Sequence, residues 1–197
     1  MLWTELLLKE NLLATGCTNI AYSYIGPEVT QPIYRHGTIG MAKEHLEQTG
    51  HSINEIMRDN CEGRAFVSVN KAVVTQASSA IPVVPLYVSL LFKIMHQKGT
   101  HEGCIEQIIR LFNDRLYHEK GVVDVDESGR IRLDDWEMDP IVQSEIIDSW
   151  GEITSDNLRE RTNFDEYQKE FLKLFGFGID GVDYEKEVDL ISPFTAL

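Results

Sequence analysis

Tyr34 and Lys43 are the two side chains of this sequence that could most directly do chemistry together, and they stand nine residues apart. A phenol donates a hydrogen bond, and a nearby ammonium lowers its pKa. A tyrosine beside a lysine can therefore stabilise a carbonyl oxygen that gains negative charge as hydride adds to a conjugated alkene. The lysine can also donate to the ribose of a nucleotide. On spacing alone a structural interpretation is favoured, with Tyr34 a buried aromatic residue and Lys43 a surface residue paired with Glu47.

The spacing decides where the two residues must lie if they share a site. On one continuous helix nine residues turn through roughly 900°, so the two side chains would face opposite sides. Tyr34 must therefore precede the helix that carries Lys43. Either Gly37 or Thr38 can cap a helix that begins near Ile39. Lys43 then lies in the second turn and can reach back towards Tyr34 in the preceding loop.

A predicted strand precedes this pair of residues. The segment Asn19–Ile25 is rich in β-branched and aromatic residues and is stopped by Gly26 and Pro27. Tyr24 stands at the end of that strand, and open α/β sheets bind their ligands beyond the carboxyl ends of their strands. Tyr24 is therefore a candidate for substrate contact, with packing on the sheet as the alternative.

A second β-rich segment, Arg64–Val74, shows no polar–apolar alternation, which predicts a central parallel strand buried on both faces. It leads into residues 75–79, which are mostly small and hydroxylic, and then into a helix that starts near Pro82. Backbone groups at such a strand end are free to bind a cofactor. The alternative, which the sequence alone favours, is a simple loop whose hydroxyl groups cap the next helix.

Several blocks of the chain, in order, resemble one known family. The resemblance rests on Ala21–Pro27 followed by Tyr34 and Lys43, on Ala65–Lys71 and Val73–Pro82, on His101–Gln107 and on Arg130–Trp136. With these blocks the sequence is similar to the trans-2-enoyl-CoA reductase family, which includes the V-type enoyl-ACP reductases. Blocks of this length rarely coincide by chance, and together they extend over nearly the whole chain.

The resemblance implies an activity and a role for each matching residue. Members of the family reduce the C2=C3 double bond of an enoyl-CoA or enoyl-ACP thioester with NADH. By resemblance, Tyr34 stabilises the enolate oxygen and takes part in proton delivery, while Lys43 holds the cofactor ribose and tunes Tyr34. Tyr24 matches a substrate contact of the family. The family residues that bind the nicotinamide end of NADH match Val73, Val74 and Thr75.

The resemblance covers only the second half of such an enzyme. No Gly-x-Gly-x-x-Gly fingerprint stands between a predicted strand and a predicted helix. The implied fold class is α/β, the second half of a Rossmann-like doubly wound parallel sheet with flanking helices, a small β-hairpin and a helical C-terminal region. Residues 1–197 are then a single domain or part-domain without the N-terminal dinucleotide-binding half. The alternative is an inactive fragment, or a split-gene subunit that needs a partner chain bearing that half.

Composition argues against several other functions. The net charge of −14 disfavours binding to nucleic acid. The three cysteines, Cys17, Cys61 and Cys104, are far apart and odd in number. They predict neither a disulfide framework nor a metal site, and they favour a reducing, cytoplasmic location. The longest apolar run, residues 80–95, contains two prolines and a lysine, so we expect no membrane span there.

Residues 124–135 offer a weaker alternative function, a calcium-binding loop. Asp124, Asp126 and Ser128 fall at the first, third and fifth positions of an EF-hand loop, and Gly129 falls at the sixth. The twelfth position is Asp135 rather than glutamate, and the preceding residues are typical of a strand rather than a helix. A β-hairpin with its turn at 127–129, pairing 122–125 with 130–133, is the favoured interpretation.

Helical patterns connect and follow these elements. They predict helices over Leu2–Leu13, Thr38–Asn60, Pro82–His96, His101–His118, Pro140–Trp150 and Asn163–Phe175. Leu86, Leu90 and Phe92 are candidate walls of an acyl channel, although core packing is the favoured interpretation for each. The residues from Phe177 onward predict an irregular tail docked on the body. Nothing from Asp134 onward is predicted to be catalytic.

Overall fold

A parallel sheet of three strands forms the centre of the computed structural model, which describes residues 1–117 and 121–187. The strands are β1 (Thr18–Ser23), β2 (Arg64–Val69) and β3 (Arg130–Arg132), in the spatial order β1-β2-β3. Both neighbouring pairs are parallel. The predicted parallel α/β sheet is therefore confirmed, with β2 in the middle as expected, although β2 ends at Val69 and not at Val74.

Helices surround this sheet. They are α1 (Leu2–Lys9), α2 (Thr38–Cys61), α3 (Gln76–Ser79), α4 (Val84–Lys98), α5 (Cys104–Arg110), α6 (Pro140–Trp150), α7 (Leu158–Arg161) and α8 (Phe164–Lys173). A 3₁₀ turn spans Glu28–Thr30, and a π-helical segment, Leu111–Leu116, continues α5. The six predicted helices are all present, with ends that differ by a few residues. The predicted end at His118 lies outside the described residues.

The two faces of β2 are covered by different helices. Ala65 packs with Ile53 and Met57 of α2, while the adjacent Phe66 packs against a cluster that contains Leu111. Because consecutive strand residues point to opposite faces, α2 and the α5–π segment lie on opposite sides of the sheet. This arrangement explains the lack of alternation in the β2 sequence, since both faces are buried.

The predicted β-hairpin is wrong. Residues 121–126 form no strand, and β3 pairs in parallel with residues 67–69 of β2. The turn itself lies where the sequence predicted it, with the Gly129 amide donating to the Asp126 carbonyl at 2.8 Å. Burial explains the different partner. Ile131 and Leu133 are almost fully buried beside Leu111, and pairing with β2 places them there.

The calcium-loop interpretation does not fit the described contacts. Asp126 accepts hydrogen bonds from the Nε of Arg130 at 2.9 Å and from a terminal nitrogen of Arg132 at 3.3 Å. Asp135, at the last position of the loop, pairs with Arg110 at 2.8 Å. Carboxylates that neutralise arginines in this way are not free to serve as calcium ligands.

The helices of the C-terminal region pack mainly against α4. Its residues Tyr87, Val88, Leu91 and Met95 have no exposed surface, and they form one core cluster that includes Ile146 of α6. The tail behaves differently from the prediction. Four large side chains, Phe177, Ile179, Val182 and Tyr184, remain about half exposed, so the predicted docking is not found in the described part, and residues 188–197 lie outside it. No helix in the described ranges is both long and apolar enough to cross a bilayer.

Candidate active site

A cavity of about 230 Å³ lies beyond the carboxyl ends of β1 and β2. Tyr24, Tyr34, Lys43, Val73 and Thr75 all line it. Five of the six residues singled out from the sequence therefore meet at one place, although they come from four separate segments of the chain. The end of the sheet at which they meet is where open parallel sheets bind ligands.

Tyr34 and Lys43 reach the cavity in the way that their spacing requires. Tyr34 belongs to the turn that precedes α2, where its amide donates to the Thr30 carbonyl at 2.9 Å. α2 begins at Thr38, so Lys43 lies in its second turn. The prediction that Tyr34 precedes the helix is confirmed. Because the loop then folds back onto the helix, both side chains face the same cavity.

Tyr34 is almost completely shielded from solvent. Tyr34 is 7% exposed, and its ring meets the ring of Tyr24 edge to face, with 5.2 Å between the centroids. Burial raises the pKa of Tyr34 above its ordinary value. The expected lowering of that pKa by Lys43 is not found, because loss of water around the phenol dominates. The hydroxyl is therefore protonated and can donate at neutral pH.

Lys43 keeps its ammonium available to a ligand. The side chain is half-buried, and in the described ranges it makes no hydrogen bond and no salt bridge. Burial lowers the pKa of Lys43, while the nearby charge of Glu47 opposes this shift. The alternative of a surface lysine ion-paired with Glu47 does not hold, since Glu47 pairs instead with Arg35 and Arg130.

The segment after β2 offers backbone groups to the cavity. In the described chain the amide groups of Val73 and Val74 have no hydrogen-bond partner. The hydroxyl oxygen of Thr75 accepts from the Ser78 amide at 3.0 Å and so caps α3. The interpretation as a capping loop is therefore confirmed, and the free amide of Val73 lies in a residue that lines the cavity. Val74 points its side chain into the core, where it is 6% exposed.

A buried carboxyl group lies behind Tyr24. The hydroxyl oxygens of Tyr24 and Tyr87 both lie within hydrogen-bond distance of Oε1 of Glu137, at 2.9 and 2.6 Å. The amide of Ala72 donates to the other carboxyl oxygen at 2.7 Å. Glu137 has no exposed surface, and burial raises its pKa. Glu137 lies in the part of the chain for which no catalytic residue is predicted, and it contacts the site residue Tyr24 from behind.

No local sequence signal identifies Glu137. It follows Trp136 in an acidic stretch that is typical of a solvated surface, and its partners are 50 to 113 residues away in the chain. The resemblance block Arg130–Trp136 ends one residue before it. The sequence offers only an indirect indication, because the residues just before Glu137 belong to one of the blocks that carry the family resemblance.

Larger apolar cavities open beside the small one. A cavity of about 600 Å³ lies between the start of α4 and the α6–α7 loop. Ile81 lines both this cavity and the small one. Leu86 lines the large cavity, as predicted for an acyl channel, whereas Leu90 and Phe92 are buried in the core. Core packing, the favoured interpretation, is thus confirmed for Leu90 and Phe92, whereas Leu86 remains a candidate channel wall.

Comparison with known proteins decides the family. A family model described as the trans-2-enoyl-CoA reductase catalytic region matches residues 1–117. The chain belongs to the trans-2-enoyl-CoA reductase family. A second model, described as an enoyl reductase FAD binding domain, matches residues 125–188.

Relatives within the family carry matching names. The trans-2-enoyl-CoA reductase [NADH] of Brachyspira hyodysenteriae is 52% identical, over 96% of this chain and 48% of its own length. The enoyl-[acyl-carrier-protein] reductase [NADH] of Flavobacterium johnsoniae is 56% identical, over 95% of this chain and 47% of its own. The structure of the Treponema denticola trans-2-enoyl-CoA reductase with NAD superposes with a TM-score of 0.88 at 52% identity, covering 94% of this chain and 46% of that one. The chain spans about half the length of these relatives.

The described residues of the second matched region do not fit a flavin dinucleotide. Gly176, Gly178 and Gly181 have the spacing of a dinucleotide fingerprint, but they follow α8, and no helix begins in the residues described after them. A dinucleotide site needs a strand, the glycine turn and then a helix N-terminus. The arginines of the region are paired with carboxylates, among them Arg132 with Asp134 and Arg161 with Glu152.

Proposed function

We propose that this chain carries the reducing site of an NADH-dependent reductase of trans-2-enoyl thioesters. The observation that carries the proposal is the convergence of Tyr24, Tyr34 and Lys43 on one cavity at the carboxyl ends of parallel strands. The names of its relatives, which specify NADH, support the cofactor. Because the chain spans about half of those relatives, the reaction of the whole protein is part of the proposal.

Tyr34 is the donor that stabilises the developing charge. Bound NADH would supply a hydride to the β-carbon of the substrate, and negative charge then develops on the thioester oxygen. The phenol of Tyr34 donates to that oxygen in a site from which water is largely excluded, where a hydrogen bond is stronger than in water. Its raised pKa keeps the hydrogen on the phenol until the charge appears. Tyr34 can then pass this proton to the enolate.

Lys43 and the segment after β2 hold the cofactor. The unpaired ammonium of Lys43 is placed to donate to ribose hydroxyls, and its charge adds to the stabilisation of the enolate. The free amides of Val73 and Val74 can donate to the carbonyl oxygen of a nicotinamide carboxamide. Thr75 lines the same cavity, and its hydroxyl caps α3.

Tyr24 and the large apolar cavity position the substrate. Tyr24 is the second phenol at the site and faces the thioester carbonyl beside Tyr34. The cavity of about 600 Å³ that shares Ile81 with the site suits the acyl chain, because its wall includes Leu86, Ile153 and Phe164. Both enoyl-CoA and enoyl-ACP thioesters are candidate substrates. The three free cysteines favour a reducing, cytoplasmic location for this chemistry.

The test follows NADH oxidation with crotonyl-CoA and with crotonyl-ACP. The chain is assayed alone and mixed with the separately expressed amino-terminal half of the Flavobacterium johnsoniae relative. Tyr34→Phe removes one donor to the developing charge and should lower kcat by about 10²–10³-fold. Tyr184→Phe, which loses a hydroxyl in the tail, is the matched control. Equal turnover by the parent and Tyr34→Phe chains would exclude Tyr34 as the donor.

We propose second that the chain needs an amino-terminal half to act. An apolar surface on the α5–π segment supports this proposal, with Ile105, Ile109 and Tyr117 each more than half exposed. Among the described residues β1 pairs only with β2, which leaves its other edge open. Relatives about twice as long would have a further half to cover these surfaces. Turnover in the mixture but not in the chain alone is the expected result, and equal turnover in both would contradict it.

A further inference from the structure

We propose that Glu137 is a positioning residue that, in its neutral form, donates to the oxygen of Tyr24 and thereby turns the Tyr24 hydroxyl hydrogen towards the substrate carbonyl. The inference deepens the proposed function and rests on it. Glu137 touches neither substrate nor cofactor in this scheme. It acts through Tyr24.

The hydrogen bonds around Glu137 admit two arrangements of protons. In the ionised form, Oε1 accepts the hydrogens of both Tyr24 and Tyr87, and Oε2 accepts from the Ala72 amide. The single hydrogen of Tyr24 then points away from the cavity. Its oxygen presents only lone pairs to a thioester oxygen that is gaining negative charge, which is repulsive.

The neutral form satisfies every group and frees Tyr24. Oε2 remains the carbonyl-like acceptor of the Ala72 amide, and Tyr87 still donates to Oε1. The carboxyl proton on Oε1 is donated to the Tyr24 oxygen at 2.9 Å. The Tyr24 hydrogen can then be donated into the cavity that Tyr24 lines. Heavy-atom positions are the same in both forms, so only the protons differ.

The surroundings of Glu137 favour the neutral form. The carboxyl group has no exposed surface, and an unpaired buried charge is costly. Its ionisable neighbours are Tyr24 after β1, Lys71 after β2 and Tyr87 of α4, while α6 contributes the uncharged Gln143, which donates to the Glu137 backbone carbonyl at 2.7 Å.

Lys71 does not supply the missing counter-ion. Its ammonium donates to the Ala72 carbonyl at 2.9 Å and lies 5.4 Å from the ring centroid of Phe92, and it makes no hydrogen bond or salt bridge with Glu137. Burial lowers the pKa of Lys71, just as burial raises that of Glu137. Lys71 is therefore not joined to Glu137 as an ion pair, and the buried carboxyl group lacks the hydrogen-bonded counter-ion that would favour its charged form.

The first test reads the proton on Glu137 directly and needs no turnover. Infrared difference spectra at neutral pH compare the parent chain with Glu137→Gln. We expect a protonated-carboxyl band that is lost in Glu137→Gln and retained in Glu145→Gln, which removes an exposed carboxylate of α6. Absence of that band from the parent chain would overturn the proposal, whatever the fate of the proposed function.

The second test reads the hydrogen of Tyr24. The chain is labelled with [13Cζ]tyrosine, and the Tyr24 signal is assigned by its loss in Tyr24→Phe. As pH rises through the titration of Glu137, the parent signal should shift because the phenol becomes a donor to the carboxylate. In Glu137→Gln, whose amide also donates to Tyr24, that shift should vanish. An identical pH response in the two chains would show that Glu137 does not direct this hydrogen.

The third test concerns the reaction, measured in the mixture with the amino-terminal half. Glu137→Ala should raise KM for crotonyl-CoA roughly tenfold, the worth of one hydrogen bond. Glu137→Gln should rescue most of that loss and should flatten the alkaline decline in kcat/KM. If Glu137→Ala does not fold, the Glu137→Gln variant and the two spectroscopic measurements still test whether Glu137 positions Tyr24. A parent pH profile indistinguishable from that of Glu137→Gln would reduce Glu137 to a structural role.

Discussion

The carbonyl oxygen of Arg35 lies 1.7 Å from the point that a Cβ atom on Gly40 would occupy. The loop that carries Tyr34 is therefore laid directly on the first turn of α2, three residues before Lys43. This close approach is what brings a phenol and an ammonium together across nine residues of sequence. A side chain at position 40 would have to displace backbone, which is far less compliant than a flexible side chain.

We expect Gly40→Ala to separate Tyr34 from Lys43. The added methyl must push the loop off the helix, so the free energy of unfolding should fall by about 1–3 kcal/mol, the usual cost of overpacking. Any NADH-dependent turnover should fall as well. Urea denaturation and the crotonyl-CoA assay measure the two effects.

Gly151→Ala is the matched control for this prediction. Gly151 also stands at a helix end, but its φ is −73° and a Cβ there would meet nothing within 4 Å. Its stability should be unchanged or slightly raised. Equal effects of the two substitutions would show that the contact with Arg35 is unimportant.

Alanine substitutions at the neighbours Val73 and Val74 should have different effects, one on cofactor binding and the other on stability. Val74→Ala removes two methyl groups from the core and should lower the free energy of unfolding by about 2–3 kcal/mol. Val73 lines the cavity, so Val73→Ala should lower it by less than about 1 kcal/mol and instead weaken NADH binding. Thermal denaturation and an NADH titration of the mixture with the amino-terminal half distinguish the two. The same stability loss in both variants would contradict the assignment.

The stability contribution of Glu137 should depend on pH. Because its pKa is raised above 4.5 in the folded state, the native chain keeps a proton there that the unfolded chain has lost. Its contribution to the free energy of unfolding is therefore intact below pH 4.5 and falls as pH rises through the folded pKa. Urea midpoints measured across pH should show this fall in the parent chain relative to Glu137→Gln. A difference between the two chains that does not vary with pH would contradict the neutral carboxyl.

His101 should act in the opposite direction. Burial, with the charges of Lys71 and His96, lowers the pKa of His101 from 6.5 to about 4. The unfolded chain therefore takes up the proton first, and stability is lost as pH falls from 6.5 towards 4. Since the ring is only half-buried, the loss should be of the order of 1–2 kcal/mol. His101→Gln should remove this acid loss, whereas His45→Gln on the exposed side of α2 should retain it; an unchanged pH dependence in His101→Gln would exclude His101 as its source.

The features that the sequence predicted correctly are those that depend on residues close together in the chain. The start of α2 follows from Gly37 and Thr38, and the parallel character of β2 follows from its lack of polar–apolar alternation. The geometric condition on Tyr34 and Lys43 required only helix geometry, and it placed Tyr34 correctly before the helix. Val73 and Thr75 were reached through the family resemblance, since spacing alone favoured a simple loop.

Long-range interactions account for the failures. The sequence around Gly129 specifies a turn, but the burial of Ile131 and Leu133 selects a parallel partner more than 60 residues away over a local hairpin. Glu137 looks like a surface acid because its three partners come from elsewhere in the chain. The pKa of Tyr34 is raised and not lowered, because the burial of the phenol depends on residues distant in sequence and cannot be predicted from the nearby Lys43.

The network around Glu137 also joins the two regions that the family models treat separately. Tyr24, Ala72 and Tyr87 belong to the region 1–117, whereas Glu137 belongs to 125–188. β3, from the second region, adds a strand to the sheet of the first. Exchange of either region between relatives would preserve the site only if both sides of this junction were inherited together. A chimera of two relatives that is joined before β1 should therefore keep the site intact more readily than one joined between residues 117 and 125, where the two family models meet.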